Sequence, residues 1–337
     1  MKEFFYPYLL FLAETTTVVV ALLLLLSSLF QMRQQQKKRF GEGEFSISCL
    51  NEEYEELQVH MHQMLNDEKS HKQWLKKREK AQKEEENQKP CLFVLDFEGD
   101  IEASATDALR EHINMILQVA GPGDRVMVRL ESGGGLVYAY GLAAAQLHRL
   151  RVKEIPLTIC VDKVAASGGY MMACLANEII ASPFAILGSV GVIGSLPNFH
   201  KLLKKHDIDY EEHTAGPYKR SLTMFGENTP EDRRQFEHEL AITHELFKNH
   251  ISAYRPQLDV ETIATGETWY GSQAVANHLI DRVGTSDDFI LEHLDHYRVY
   301  LLTKEEKQSA LDNLKERFLG LLSLRATKKS PFKAQIH

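Results

Sequence analysis

The sequence predicts an α/β protein built on a mostly parallel sheet with both faces covered. Three observations carry that expectation. Short apolar runs recur at residues 91–97 (CLFVLDF), 126–131 (VMVRLE) and 156–161 (PLTICV), the composition of strands buried on two faces. Stretches of helical periodicity, residues 104–120 and 136–150, separate them, as crossovers between parallel strands require. After two of the strands the chain passes through serine and glycine, Ser132-Gly133-Gly134-Gly135 and Ser167-Gly168-Gly169, before a helical pattern begins.

The elements follow in order along a chain of 337 residues, long enough for one large domain or two moderate ones. After a tail at 1–8, residues 9–30 (LLFLAETTTVVVALLLLLSSLF) form a nearly continuous apolar run that at ~1.5 Å per residue spans a bilayer as one transmembrane helix. Glu14 lies near one end of it, within reach of the interface. A cleaved signal peptide fits less well, because the apolar core is long and no small-residue cleavage site follows. Residues 31–89 form a charged extension. Within it 51–89 read as one long helix with a thin stripe of Leu57, Met61, Met64, Leu65, Trp74 and Leu75, suited equally to a solvated spacer or to a partner-binding helix. Pro90 ends it and marks the start of a domain over 90–290. GPGD at 121–124 is a turn, 178–183 (EIIASP) a strand, 198–206 a short amphipathic helix, 210–216 (YEEHTAG) strand-like, and 230–254 a long helix. Residues 269–284 add a further helix and turn. Residues 291–337 hold a C-terminal amphipathic helix over 303–322, for a partner or another protomer, and a tail.

Composition narrows the function. With 47 acidic against 39 basic residues the formal net charge is −8, which argues against nucleic acid as a partner. Cys49, Cys91, Cys160 and Cys174 show no CxxC spacing and read as buried thiols, with neither a zinc site nor a disulfide framework. His60 and His62, and His238 and His244, lack the spacing that puts two imidazoles on one helix face, and read as solvated helix histidines. No metal and no cofactor is expected.

One stretch invites chemistry. Residues 163–174 (KVAASGGYMMAC) place Ser167 where a strand hands over to a helix. The unpaired N–H groups and dipole of the helix start favour an oxyanion there, so Ser167 fits a nucleophile with the Gly168 amide beside it. It fits an ordinary N-cap too. The glycines at 133–135 would let backbone amides approach a bound group, or would merely make a flexible turn. Lys219, after a Gly216-Pro217 turn, is by itself a solvated loop cation.

Taken together, ESGGG at 131–135, DKVAASGGYMMAC at 162–174, LGSVGVIG at 187–194, TAGPYKRS at 214–221 and WYGSQAVANHLIDRVG at 269–284 resemble, in order and spacing, the signal peptide peptidase A family of serine proteases, most closely its SohB branch. The resemblance covers roughly residues 51–289. It implies a ClpP/crotonase-like repeated ββα spiral over 90–290, with Ser167 as nucleophile, Lys219 as base and Ser189 hydrogen-bonding to that lysine. Where the family commonly reads Ser-Pro-Gly-Gly, this chain has Gly133 in place of the proline. The oxyanion amide is placed on Gly135, with Gly134 next, and paired with that of Gly168.

Such a dyad has a physical requirement. Free lysine, with a pKa of ~10.4, is charged at neutral pH, and lowering it to ~7–8 means disfavouring the ammonium by about 4 kcal/mol, which burial can supply. Arg220 is a secondary influence. Small and apolar residues at Ala165, Ala166, Tyr170 and Met171 suggest a groove for apolar peptides, such as signal-peptide remnants. One copy of the pattern without an internal repeat implies a homo-oligomer, since in the family's short forms nucleophile and base can come from neighbouring protomers. Two other readings stay open: a crotonase-like enzyme acting on an acyl-thioester, and a non-catalytic membrane scaffold. Arg33, Lys37, Lys38 and Arg39 after the apolar run would hold the following domain in the cytoplasm, whereas the resemblance implies the periplasmic side of the inner membrane, the side adopted here.

Overall fold

The computed structural model describes residues 15–16, 43–85, 89–216 and 218–306. They fall in two compact units, one of residues 47–303 and one combining 1–46 with 304–337, of which only 15–16, 43–46 and 304–306 are described. The expected membrane helix at 9–30 thus lies, apart from Thr15 and Thr16, outside the described residues, as does the tail beyond 306. Among the described residues no helix is long and apolar enough to cross a membrane.

Ten strands among the described residues join one sheet: β1 (Gly43–Cys49), β2 (Cys91–Gly99), β3 (Arg125–Ser132), β4 (Leu157–Val161), β5 (Val164–Ala166), β6 (Glu178–Ala181), β7 (Ile186–Gly188), β8 (Thr268–Tyr270), β9 (Arg282–Val283) and β10 (Arg298–Glu306). The main path runs β1-β10-β2-β3-β4-β6-β9, and from β10 onward every pair in it is parallel. Parallel neighbours need crossovers. These are α-helices, separated in sequence from the two that precede β2. The order is α1 (Leu50–Leu65), α2 (Glu68–Glu85), α3 (Thr106–Val119) between β2 and β3, α4 (Val137–Val152) between β3 and β4, and α5 (Gly168–Ala173) between β5 and β6. A short tier leaves the main path: β5 meets β3 at the Ser132–Ala165 pair and runs parallel to β7, and β7 is antiparallel to β8.

The strand composition explains the layering. Every residue of β4 (LTICV) is buried, as a strand covered on both faces must be. One face of the sheet carries Leu95, Phe97, Val128, Leu130 and Ile159 into the larger core with Leu109, Ile113 and Leu147 of α3 and α4. The other carries Leu92, Val94, Met127, Cys160 and Ile180 against Leu50 of α1 and Phe289 and Ile290 of a later helix. The remaining helices are α6 (His200–Lys205), α7 (Pro230–Tyr254), α8 (Val260–Ile263), α9 (Gly271–Ala274) and α10 (Ser286–His293). Helix α7 starts at a capping box, Thr229 and Asp232 each satisfying the other's backbone N–H, with Pro230 in the first turn. Just past its end Arg255, 2% exposed, reaches both carboxylate oxygens of Asp281 at 2.9 and 3.0 Å. All four cysteines are free thiols; Cys160 and Cys174 are buried, Cys49 and Cys91 half-buried.

Five expectations need correction. The helix read over 51–89 is a hairpin of α1 and α2. Asn66 is extended (φ −125°, ψ 161°), and Asp67 accepts the Ser70 N–H at 3.2 Å to start the second helix. The two arms touch through Arg78, which donates to Gln58 Oε1 at 2.8 Å. His62 is accordingly not a solvated histidine: it stacks on Trp74 with centroids 4.4 Å apart, and its Nδ1 lies 3.2 Å from that of His71. Residues 210–216 form no strand. They are exposed, and Glu212 takes hydrogen bonds from Tyr210, Arg220 and Thr223 instead. Residues 303–306, expected to open a helix, continue β10, whose Arg298–Leu302 are held in register with Cys91–Leu95. Within 269–284 the helix is only one turn, and strands β8 and β9 occupy the ends.

Candidate active site

The site is assembled where β3 and β5 end side by side. Ser132 at the end of β3 pairs with Ala165 of β5, so the glycine turn after β3 and the serine after β5 emerge next to each other. Ser167 has φ 52° and ψ −117°, a conformation that costs an L residue about 1–3 kcal/mol. It makes no side-chain cap bond to α5, which removes the N-cap reading of this serine. Its N–H donates to Gly188 O at 2.8 Å, and Met171 N–H donates to its carbonyl at 3.0 Å, so the backbone is held on both sides. The side chain is half-buried, and among the described residues its hydroxyl has no hydrogen-bond partner.

The glycines meet at this point. Gly134 has φ +87°, and a Cβ there would lie 2.7 Å from both the Gly168 N and the Ser167 Cβ, so only glycine lets the two loops approach. Its own N–H donates to Ser132 Oγ at 3.0 Å. Gly135 presses on Ile101, and among the described residues its N–H is uncommitted, as is that of Gly168 at the first position of α5. Gly135, Ser167 and Gly168 line one small cavity. The sequence brought these residues forward, and the structure brings them together.

Other walls of the cavity were not legible. Val137, Met171, Gly191 and Val192 line it as well, with Thr243 and Phe247 of α7. Thr243 and Phe247 are four apart on one helical face, the only signal the sequence offers for them. His250, one turn further, donates its Nε2–H to Met171 O at 2.9 Å, tying α7 to α5; burial pushes its imidazole below the ordinary range. Of the four residues expected to line a groove, only Met171 does. Ala165, Ala166 and Tyr170 are buried in the core, and the Tyr170 hydroxyl donates to Leu279 O at 2.9 Å.

Lys219 stands apart. It is exposed, its N–H donates to Gly216 O at 3.2 Å, and among the described residues its Nζ has no hydrogen-bond partner. It does not line the cavity at Ser167. Neighbouring Arg220 is engaged with Glu212 at 3.0 Å. Ser189 is half-buried at φ 50°, next to the Gly188 carbonyl that holds Ser167, with its N–H on Glu267 O at 2.6 Å.

Two family models match the chain: the N-terminal model of peptidase family S49 over residues 3–147, and the peptidase family S49 model over 149–299. The chain belongs to peptidase family S49. Among its S49 relatives, the probable protease SohB of Haemophilus influenzae is 45% identical over 311 residues, 86% of this chain and 87% of that one. The probable protease SohB of Buchnera aphidicola subsp. Acyrthosiphon pisum is 56% identical over 211 residues, 63% of each chain. A solved structure of a membrane-bound stomatin-specific protease with a substrate peptide aligns over 69% of this chain and 99% of its own. That alignment has 16% identity and a TM-score of 0.42, too loose a likeness to bear on mechanism. The S49 relatives make this mixed α/β chain a peptidase, and a serine mechanism fits the family.

Proposed function

We propose that the chain is a serine endopeptidase in which Ser167 is the nucleophile and Lys219 the general base, on a ClpP/crotonase-like domain over 90–290 anchored by a membrane helix at 9–30. The observation that carries this reading is the Ser167 turn. A strained, positive-φ serine with an unengaged hydroxyl stands against two close glycine loops at the start of α5. An N-cap role needs none of these features.

In the proposed cycle neutral Lys219 takes the Ser167 hydroxyl proton as Oγ attacks the peptide carbonyl. The Gly135 and Gly168 N–H groups receive the oxyanion, each worth roughly 3 kcal/mol. The ammonium then protonates the leaving amine as the C–N bond breaks, which leaves an acyl ester on Ser167 and a neutral lysine. That lysine next deprotonates the water that attacks the ester, and its ammonium returns the proton to Ser167 Oγ as the acyl C–O bond breaks and the acid product leaves. Ser189 would orient the lysine.

The exposure of Lys219 sets a condition on this cycle, because a solvated lysine is protonated and no base. We infer that a neighbouring protomer buries it. The coil that carries it exposes Ile208 and Tyr218, the latter 65% exposed, and elsewhere Ile193, 89% exposed, Leu202 of α6 and Leu246 of α7 are exposed as well. A partner would cover these side chains together with Lys219, and a second copy of the chain is the one proposed. The substrates would be apolar or membrane-derived peptides, and the catalytic domain would face the periplasm.

A serine-directed fluorophosphonate tests the core of the proposal. The full-length protein in detergent should label, and Ser167→Ala and Lys219→Ala should not. An intact, assembled wild-type protein that fails to label would refute it.

A further inference from the structure

Beneath the glycine turn lies a chain of hydrogen bonds that the cycle above does not use. Tyr140 of α4 is fully buried and Ser132 is 1% exposed. The Tyr140 hydroxyl donates to Asp100 O at 2.6 Å, and Ser132 Oγ lies 2.5 Å from the same phenol oxygen. A phenol has one proton. Because that proton points at a carbonyl, Ser132 must donate to Tyr140, and its Oγ is then free to accept the Gly134 N–H. The direction is fixed throughout: Gly134 N–H to Ser132, Ser132 to Tyr140, Tyr140 to Asp100 O. Burial raises the phenol above its ordinary range, which keeps the proton in place.

The same two residues support both loops of the site. A Cβ at Gly168 would strike the Tyr140 ring, and one at Gly169 would lie 2.6 Å from Ser132 O. The turn that Tyr140 holds through Asp100 also grips the next stretch, where Leu136 N–H donates to Ile101 O at 2.9 Å. With Gly134 N–H and Leu136 N–H both engaged, Gly135 is left between them as the uncommitted donor at the cavity.

We propose that Ser132 and Tyr140 are positioning residues of the oxyanion hole, holding the Gly134 N–H away from the reaction so that the Gly135 N–H meets the developing oxyanion. This rests on Ser167 as the nucleophile. The relay acts through the transition state, so its loss should lower kcat and spare ground-state binding.

The test uses the full-length assembled protein and a fluorogenic peptide with apolar residues before the scissile bond, with fluorophosphonate labelling rate as a second measure. Tyr140→Phe keeps the ring against Gly168, and Ser132→Ala removes the acceptor. Each should lower kcat and labelling by about 10- to 100-fold with KM within about twofold. The double variant should be no worse than Ser132→Ala, because one relay is broken once. A peptide aldehyde, which forms a tetrahedral adduct, should lose affinity by the same factor as kcat. Binding of the uncleaved peptide to Ser167→Ala should not change when Tyr140→Phe is added. Wild-type rates in both variants, or equal losses of aldehyde and uncleaved-peptide affinity, would overturn the proposal. An active Ser167→Ala would instead remove the nucleophile reading, whereas an inactive one beside fully active Tyr140→Phe and Ser132→Ala would remove the relay alone.

Discussion

The loops around Ser167 and the loop that carries Lys219 are built in opposite ways. The first are anchored to the ends of β3 and β5, pinned by backbone bonds on both sides of Ser167, and packed against buried side chains. The second is exposed coil between α6 and α7, stabilised by surface contacts such as Glu212 with Arg220. An oxyanion hole must be preorganised before substrate arrives, so it belongs on a rigid core. A lysine base needs desolvation, which a loop can obtain from a partner. On the proposed reading, the contrast is that of a chain that completes the first half of its chemistry alone and leaves the second to assembly.

The largest effect should come from mixing inactive chains. If the dyad forms between protomers, Ser167→Ala and Lys219→Ala proteins, each inactive, should regain up to about a quarter of wild-type activity when co-assembled, since a quarter of the shared sites would pair two intact residues. No recovery in confirmed mixed assemblies would place the dyad within one chain. Next, Gly168→Ala should cut turnover at least about 100-fold and cost roughly 1–3 kcal/mol of stability, because its methyl displaces the Tyr140 ring. Turnover and the urea midpoint check both. Arg255→Met should lower the stability of the core by about 2–3 kcal/mol, because Asp281 loses its cation and keeps the Ile179 N–H at 2.7 Å. A melting curve reads it, and a shift of only a degree or two would show that Asp281 finds other partners.

A smaller effect is pH-dependent. Burial lowers the His250 imidazole, and that of His293, below the ordinary value, so the unfolded chain binds protons first as pH falls. Their stability contribution is full above pH ~6.5 and is lost as pH drops below it toward the depressed folded values. His250→Gln should flatten part of that loss in melting curves between pH 7 and 5. Least of all, Glu212→Gln should change stability by under about 1 kcal/mol, because its ion pair is near the surface. A large loss there in an activity assay would mean that the Lys219 loop is more ordered than its exposure implies.

What the sequence disclosed follows the same division. Apolar runs located β2, β3 and β4, because Leu92–Leu95, Val126–Val128 and all of β4 are buried on both faces of the sheet. The long helical run over 230–254 located α7, and the capping box at Thr229 that fixes its start came from the structure. The meeting of Gly134, Ser167 and Gly168 was legible as chemistry from residue types, although their contact depends on the β3–β5 pairing, which no local pattern specifies. The α1–α2 break at Asn66 was hidden because both arms share helical composition. The misread 210–216 segment shows the reverse, since alternating residues form a strand only where a partner edge exists. Tyr170 was assigned to a groove because apolarity alone does not say whether a side chain faces a cavity or the core.

The cavity meets main chain at Gly135 and Gly168, which have no room for a side chain, while side chains of Val192, Thr243 and Phe247 wall it. Evolution therefore has two separate dials. On the proposed mechanism, substitutions in the walls would retune which residue is accepted without touching the atoms that receive the oxyanion, and a library restricted to positions 192, 243 and 247 would explore new preferences with Ser167, Gly135 and Gly168 left intact.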